Sequence, residues 1–496
     1  MKNQVRIRYK VPLGGMTFLI MMVFTSYVQA QVREISISEA LELSYTNNEK
    51  VKQYGERVQQ KVNEDKAAKG NFLPSLNIVG GYTYLSDNIQ VNTSQIQSSL
   101  DDLGGKYGAA FVAAYGEHIG LSGVTTESAY STLVGVLGQF PEYPNMEVNN
   151  QQFAVASLSA TQPLFTGGKI IAAKKYAKAE LRSADIELIQ VKNEIANELI
   201  ERYLNMVLLK QVVKIRQEVY DGMLKHEEQA ARAIQLEILP KHVLLRAKVA
   251  VADAKKDLEN DLNNVELSAM ALRTTMNLPD SIPFTVMDSI GFQELYLDFD
   301  ELLNTAYAKQ PVLGLIGQKE EMAKQALAVE KSNFMPNVAA FGSYNMFRQE
   351  LPIIPPKFMV GLTAQFNLFN GFKDINGLKA SKHLQKEVAF AKEYALKQIH
   401  LLIQSNYITA NNQQKLYNSL TSTVNMAEEN LRINTRRFEE GIGKSIDVID
   451  ATLLYKKSKI EKLVALDGYY KAVANLYTAI GEPEKIIPIL NKSASL

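Results

Sequence analysis

"KGNFLPSLNIVGGYTY" at residues 69–84 returns as "KSNFMPNVAAFGSYNM" at residues 331–346. Lys, Asn, Phe, Pro, Gly and Tyr coincide at a constant offset of 262. A second pair, "PLFTGGK" (163–169) and "NLFNGFK" (367–373), lies at an offset of 204, which holds without a gap to "MNLP" (276–279) and "IGEP" (480–483). Two ordered motifs at fixed offsets mark one unit used twice. The first repeat spans 31–295 and the second 296–496; the first holds 58 extra residues between its two short motifs.

Each repeat runs in the same order. Helical segments come first, "SISEALELSYTNN" and "EKVKQYGERVQQKVNEDKAAKGNF" in one half, "DFDELLNTAYAKQ" and "PVLGLIGQKEEMAKQALAVEKSNF" in the other. Pro74 and Pro336 then stop the helix, because proline lacks the backbone donor and disfavours helix in the residue before it. Alternating stretches follow, at about 75–85 and 152–164, then 337–347 and 357–369. In "KFMVGLTAQFNLF" Phe358, Val360, Leu362, Ala364, Phe366 and Leu368 share one face, and Met359, Gly361, Thr363, Gln365 and Asn367 the other. That period of two belongs to a half-buried strand or a membrane-barrel strand.

After each "LF-x-G" the pattern predicts a long helical hairpin, 167–278 and 371–480. Pro is absent between Pro163 and Pro240, and apolar residues recur at three- and four-residue spacing (Leu199, Tyr203, Met206, Leu209, Val213). Such length at this period suggests coiled-coil-like packing. The first hairpin reverses at "LEILPKH", where Leu239 and Pro240 stand, and the second at "EEGIGKS", where Gly441 and Gly443 supply turn residues. Just beyond the second turn Asp447 and Asp450 lie three apart, on one face of a helical first turn. Ser445 is a candidate cap for that helix, and acids near a helix N-terminus favour its dipole.

Compartment is written at the N-terminus. "MKNQVRIRYK" carries four positive charges, "MTFLIMMVF" is apolar, and "SYVQA" ends on a small residue. Residues 1–30 read as a secretory signal peptide cut after Ala30. A formal charge of +1 offers no polyanion-binding surface, so nucleic acid is not an expected partner. With no Cys, thiolate chemistry and disulfides are absent. The five histidines show no ligand spacing, so no metal, cofactor or catalytic residue is assigned.

Four strands cannot close a barrel, and open strand edges in lipid would leave backbone groups unpaired. A soluble sandwich competes, but its small β core would leave the long helices projecting unsupported. If the strands span a membrane, several copies must close the barrel together: eight, twelve or sixteen strands from two, three or four copies.

The duplicated order of helix, Pro, strands, "LF-x-G" and long hairpin resembles the TolC family of outer-membrane efflux channels. The tip pattern Phe438, Gly441, Asp447, Val448, Asp450, Ala451 adds to the likeness. The resemblance implies an α+β membrane protein: a homotrimer with a twelve-stranded β-barrel in outer-membrane lipid, continued by a periplasmic helical barrel. It also implies a passive duct of a tripartite efflux or type I secretion system. Its partners would be a periplasmic adaptor (membrane fusion protein) and an inner-membrane RND or ABC transporter. Asp447 and Asp450 would then line the periplasmic aperture, where like charges ~6 Å apart repel by roughly 3 kcal/mol at an effective dielectric of 20. At the offset of 204 these acids fall on Val243 and Arg246, so only the second hairpin supplies them. Lys241 and Arg246 are candidate gate partners, and the tips Leu239, Pro240, Gly441 and Gly443 candidate adaptor contacts. The insert at 86–150, rich in Gly, Ser, Thr and Asn, fits either an extracellular loop or a lid over the lumen. A periplasmic coiled-coil structural or adaptor protein without a barrel is the rival reading; it would need no detergent for extraction.

Overall fold

The computed structural model describes residues 33–87, 89–91, 146–148, 151–237, 240–347 and 356–493. The signal peptide, Leu239 and most of the 86–150 insert lie outside them.

Strand β1 (Arg33–Glu34) leads into α1 (Ile37–Asn47) and α2 (Glu49–Gly70). Ser36 caps α1 by accepting the Glu39 N–H at 3.2 Å, and Asn48 caps α2 by accepting that of Lys50 at 2.9 Å. Strand β2 (Ser75–Tyr84), the short ribbon β3 (Ile89–Val91) with β4 (Met146–Val148), and β5 (Gln152–Thr166) follow. Then come α3 (Lys169–Gln235) and α4 (Lys241–Met276), with β6 (Phe284–Thr285) beside β1. The second half repeats this with α5 (Phe299–Lys309), α6 (Pro311–Ser332), β7 (Asn337–Phe347), β8 (Phe358–Gln365), α7 (Lys373–Glu439) and α8 (Ser445–Ala479). A 3₁₀ turn and α9 (Ile487–Ser493) end the described chain.

Both α1 and α5 have 11 residues, both α2 and α6 have 22, and both α3 and α7 have 67. At 1.5 Å per residue each long helix reaches about 100 Å. Strand β8 stops at Gln365, short of the expected 369. Gln365 pairs with Asn337, the first residue of β7, and Pro336 before it has no N–H to extend the ladder.

The sheet runs β2-β5-β7-β8, all antiparallel. The helices follow the same order, α2 against α3, α3 against α6 and α6 against α7, because each strand joins its helix through a few residues. At mid-length the helices thicken into the main core. Tyr203 of α3 is fully buried; its hydroxyl donates to the Ile35 carbonyl at 2.9 Å and accepts the Met287 N–H at 3.4 Å. Burial pushes its phenol up to about 12. Tyr470 of α8 donates to the Gly291 carbonyl at 2.7 Å. These two tyrosines bind the 283–295 strap and the chain ends onto α3 and α8, with Leu199, Leu272, Met276 and Leu490 packed between.

Candidate functional site

Register assigns every strand residue to a face, since paired residues point the same way. One face is apolar along whole rows: Ile78, Leu158, Tyr344 and Phe358 in one, Leu76, Ala160, Gly342 and Val360 in the next. Leu76, Ile78, Tyr82, Val360 and Leu362 stand exposed on it. The opposite face carries Asn77, Ser159 and Ser343 in one row and Val79, Ser157 and Asn345 in another. An exposed apolar face backed by a polar one, on strands of 8 to 15 residues, is the pattern of a membrane barrel wall. On the polar face Phe341 lies across Gly361, where a Cβ would come within 2.7 Å of its ring. Pro163 sits at a bulge in β5, the position a sheet tolerates for a residue without an N–H.

Among the described residues β2 and β8 each pair on one side only, so the sheet ends in two open edges. Where the sheet meets the helices, all four junctions expose apolar groups: Phe72 and Leu73, Leu164 and Phe165, Phe334 and Met335, and Phe366, Leu368, Phe369 and Phe372. Phe372 does so at a backbone cost. It occupies the position of Gly168 and keeps the same left-handed turn, φ 64° against 86°. Sequence reading passed over this belt because its members fall in four separate motifs.

At the far end of the helices the two tips differ in residues but share one left-handed backbone position. Glu237 (φ 58°) takes the left-handed position that Gly441 (φ 77°) takes in the second tip. Glu237 thus takes part in the first reversal, which sequence placed at Leu239 and Pro240; Leu239 lies outside the described residues, and Pro240 is the residue before α4 and is extended there. Gly443 does not have positive φ. It is small because a Cβ would lie 2.8 Å from the Phe438 nitrogen.

Ser445 does not cap α8. Lys444 holds that position without a side-chain bond, and the Ser445 hydroxyl instead lies 2.6 Å from Nε2 of His226 on α3. His226 is 6% exposed, its ring is 5.3 Å from that of Phe438, and burial pushes its pKa below the ordinary value. Below it Ile449 of α8 packs with Val219, Met223 and Ala254. Glu218 of α3 receives Lys456 and Lys459 of α8; the Lys456 ammonium holds its carboxyl below the usual range. The two hairpins are thus fastened side by side near their tips.

Asp447 is half-buried and Asp450 exposed, while Lys241 and Arg246 are exposed on α4. Within the protomer no ion pair joins either acid to Lys241 or Arg246 among the described residues. The same residues include no group of side chains suited to a metal ion, and no helix long and apolar enough to cross a membrane.

Residues 302–482 match the sequence-family model described as outer membrane efflux protein. Across nearly the whole chain the fold matches the outer membrane protein VceC of Vibrio cholerae, with a TM-score of 0.67, 15% identity, and 90% of this chain and 96% of that one covered. Residues 302–482 thus carry an outer membrane efflux protein domain, within a chain that has the fold of TolC-type channels. Two further channels share this fold. The open-state MtrE channel of Neisseria gonorrhoeae matches at TM-score 0.67 and 14% identity over 90% of this chain and 89% of that one. The CmeC channel of Campylobacter jejuni matches at 0.66 and 11% over 98% and 97%. No curated protein matches this chain by sequence. Proteins of the family are non-enzymatic conduits. They are outer membrane channels that extend into the periplasm, homotrimers that work with adaptors and pumps.

Proposed function

We propose that three copies of this chain close one twelve-stranded barrel in the outer membrane and one helical tunnel beneath it. The assembly is a passive exit duct of a tripartite efflux or type I secretion system. The observation that carries this is the sheet β2-β5-β7-β8, apolar on one face, polar on the other and open at both edges. Unpaired strand edges are untenable in lipid, and pairing β8 of one copy with β2 of the next removes them. The helix row below follows the strand order, so closing the sheet closes the tunnel.

Repeats 31–295 and 296–496 give each copy two hairpins and two pairs of strands. The tips at Leu239, Pro240, Gly441 and Gly443 face an adaptor anchored to an RND or ABC transporter of the inner membrane. Asp447 and Asp450 ring the mouth, with Lys241 and Arg246 of a neighbouring copy as closing partners. Their lack of a partner within the protomer supports that assignment, because charges at a shared mouth are completed between copies.

Light scattering on detergent-extracted protein tests the assembly. The expected protein mass is three times the 55.3 kDa chain, less the signal peptide. A monomer released by osmotic shock without detergent would overturn the proposal.

A further inference from the structure

Charge is unevenly shared along the helices. The ten residues of each helix nearest its strand (61–70, 169–178, 323–332 and 373–382) hold twelve lysines against Glu64, Asp65, Glu330 and Asp374. That is net +8 within about 15 Å of the sheet, in a chain of formal charge +1. The rest of the molecule is therefore net negative, and the basic charge gathers beside the aromatic belt.

Helix α3 contributes most. Lys174, Lys175, Lys178 and Arg182 fall on one helix face, and the next acid on that face is Asp185. The nearest carboxylates are engaged elsewhere, Asp65 by Lys69 and both Glu64 and Glu180 by Lys61. Lys174, Lys175 and Lys178 have no carboxylate among the described residues. Lys174 Nζ lies 5.9 Å from the ring centroid of the exposed Phe72, which puts this face on the side of the belt.

We infer that the collar binds anionic phospholipid headgroups, with the α3 lysines as its main contact. The inference rests on the membrane reading above. Ammonium groups one to three helical turns below an apolar belt meet the phosphate level of a leaflet whose acyl chains lie against the belt. Lysine suits this task, since its flexible stem and three donors follow a mobile phosphate. The neighbouring apolar belt selects a lipid over free phosphate.

Spin-labelled lipids in phosphatidylcholine vesicles containing the whole protein test the collar. The fraction of labelled phosphatidylglycerol immobilised by the protein is expected to exceed that of labelled phosphatidylcholine by about threefold, falling toward equality in about 1 M salt. Combined Lys174→Gln, Lys175→Gln and Lys178→Gln should abolish most of the preference. Lys225→Gln, Lys248→Gln and Lys415→Gln, which remove equal charge far from the belt, should leave it. Equal immobilisation in the wild type, an unchanged preference in the collar variant, or displacement by inorganic phosphate at constant ionic strength would each overturn the collar. Flotation of vesicles separates the two readings: protein that fails to insert overturns the membrane assignment, whereas insertion without preference overturns the collar alone.

Discussion

His226 and Ser445, 219 positions apart in sequence, meet at 2.6 Å and join the first hairpin to the first residue of α8. Burial disfavours the charged imidazole, so the folded protein holds its pKa below the ordinary 6.5. Between those two values the unfolded chain binds more protons than the folded one. The stabilisation is therefore complete above pH 6.5 and is lost as pH falls through the folded value. Protection from hydrogen exchange over residues 436–450, taken relative to the intrinsic rate at each pH, should fall on acidification in the wild type and lose that component in His226→Gln. Ser445→Ala should cost about 1 kcal/mol of local stability at neutral pH. Identical exchange in wild type and His226→Gln at every pH would remove the imidazole from the account.

Glu237 and Gly441 share one left-handed backbone position. Glutamate is strained there and glycine is not. Glu237→Gly should therefore stabilise the first tip by about 0.5–1 kcal/mol, and Gly441→Ala should destabilise the second by a similar amount. Opposite shifts in the exchange protection of the two tips would be the signature.

These tips show where sequence was legible and where it was not. Offsets of 262 and 204 carried the repeat, and the scarcity of Gly and Pro carried the long hairpins. Side-chain identity does not state φ, so a glutamate in the left-handed position of a glycine is invisible to sequence, which points only to Leu239 and Pro240. The Ser445 hydroxyl looked like a cap because capping is local, whereas its partner His226 lies in the other repeat. Strand β8 was read too long for a related reason. Alternation persists through Leu368, but pairing ends at Gln365 because β7 begins only at Asn337, after Pro336. Order along the chain was readable; contacts between the halves were not.

The Phe341 ring fills the space over Gly361. Gly361→Val should force it away and lower sheet stability by about 1–3 kcal/mol. Paired with Phe341→Ala the loss should be less than the sum of the two single losses, since the clash disappears with the ring. Thermal unfolding in detergent measures all three variants, and strict additivity would mean that the contact carries no energy.

The sequence contains no Trp, so single replacements act as unique depth reporters. Val360→Trp should be quenched by lipids brominated deep in the acyl chain, and Phe369→Trp by those brominated near the headgroup. Tyr296→Trp, at a site 95% exposed on the strap, should be quenched by neither. Uniform protection from brominated lipid at all three sites would refute the assignment of the apolar sheet face to the bilayer.

Asp447 and Asp450 supply acids in only one of the two tips, so a trimer concentrates three pairs of them at its mouth. Removing the charge in Asp447→Asn with Asp450→Asn should lower cation selectivity in planar bilayers and weaken block by multivalent cations. Since each neighbouring charge at ~6 Å contributes roughly 3 kcal/mol at an effective dielectric of 20, the loss of block should exceed tenfold. Arg246→Glu should raise closed-state conductance if this residue holds a neighbouring acid across the mouth, and Lys241→Glu likewise. An exposed pair is worth only ~0–1 kcal/mol, so a large change in conductance would itself indicate that the contact is buried between copies. Selectivity and conductance unchanged in all these variants would take the aperture away from this turn and leave the acids as helix-start residues.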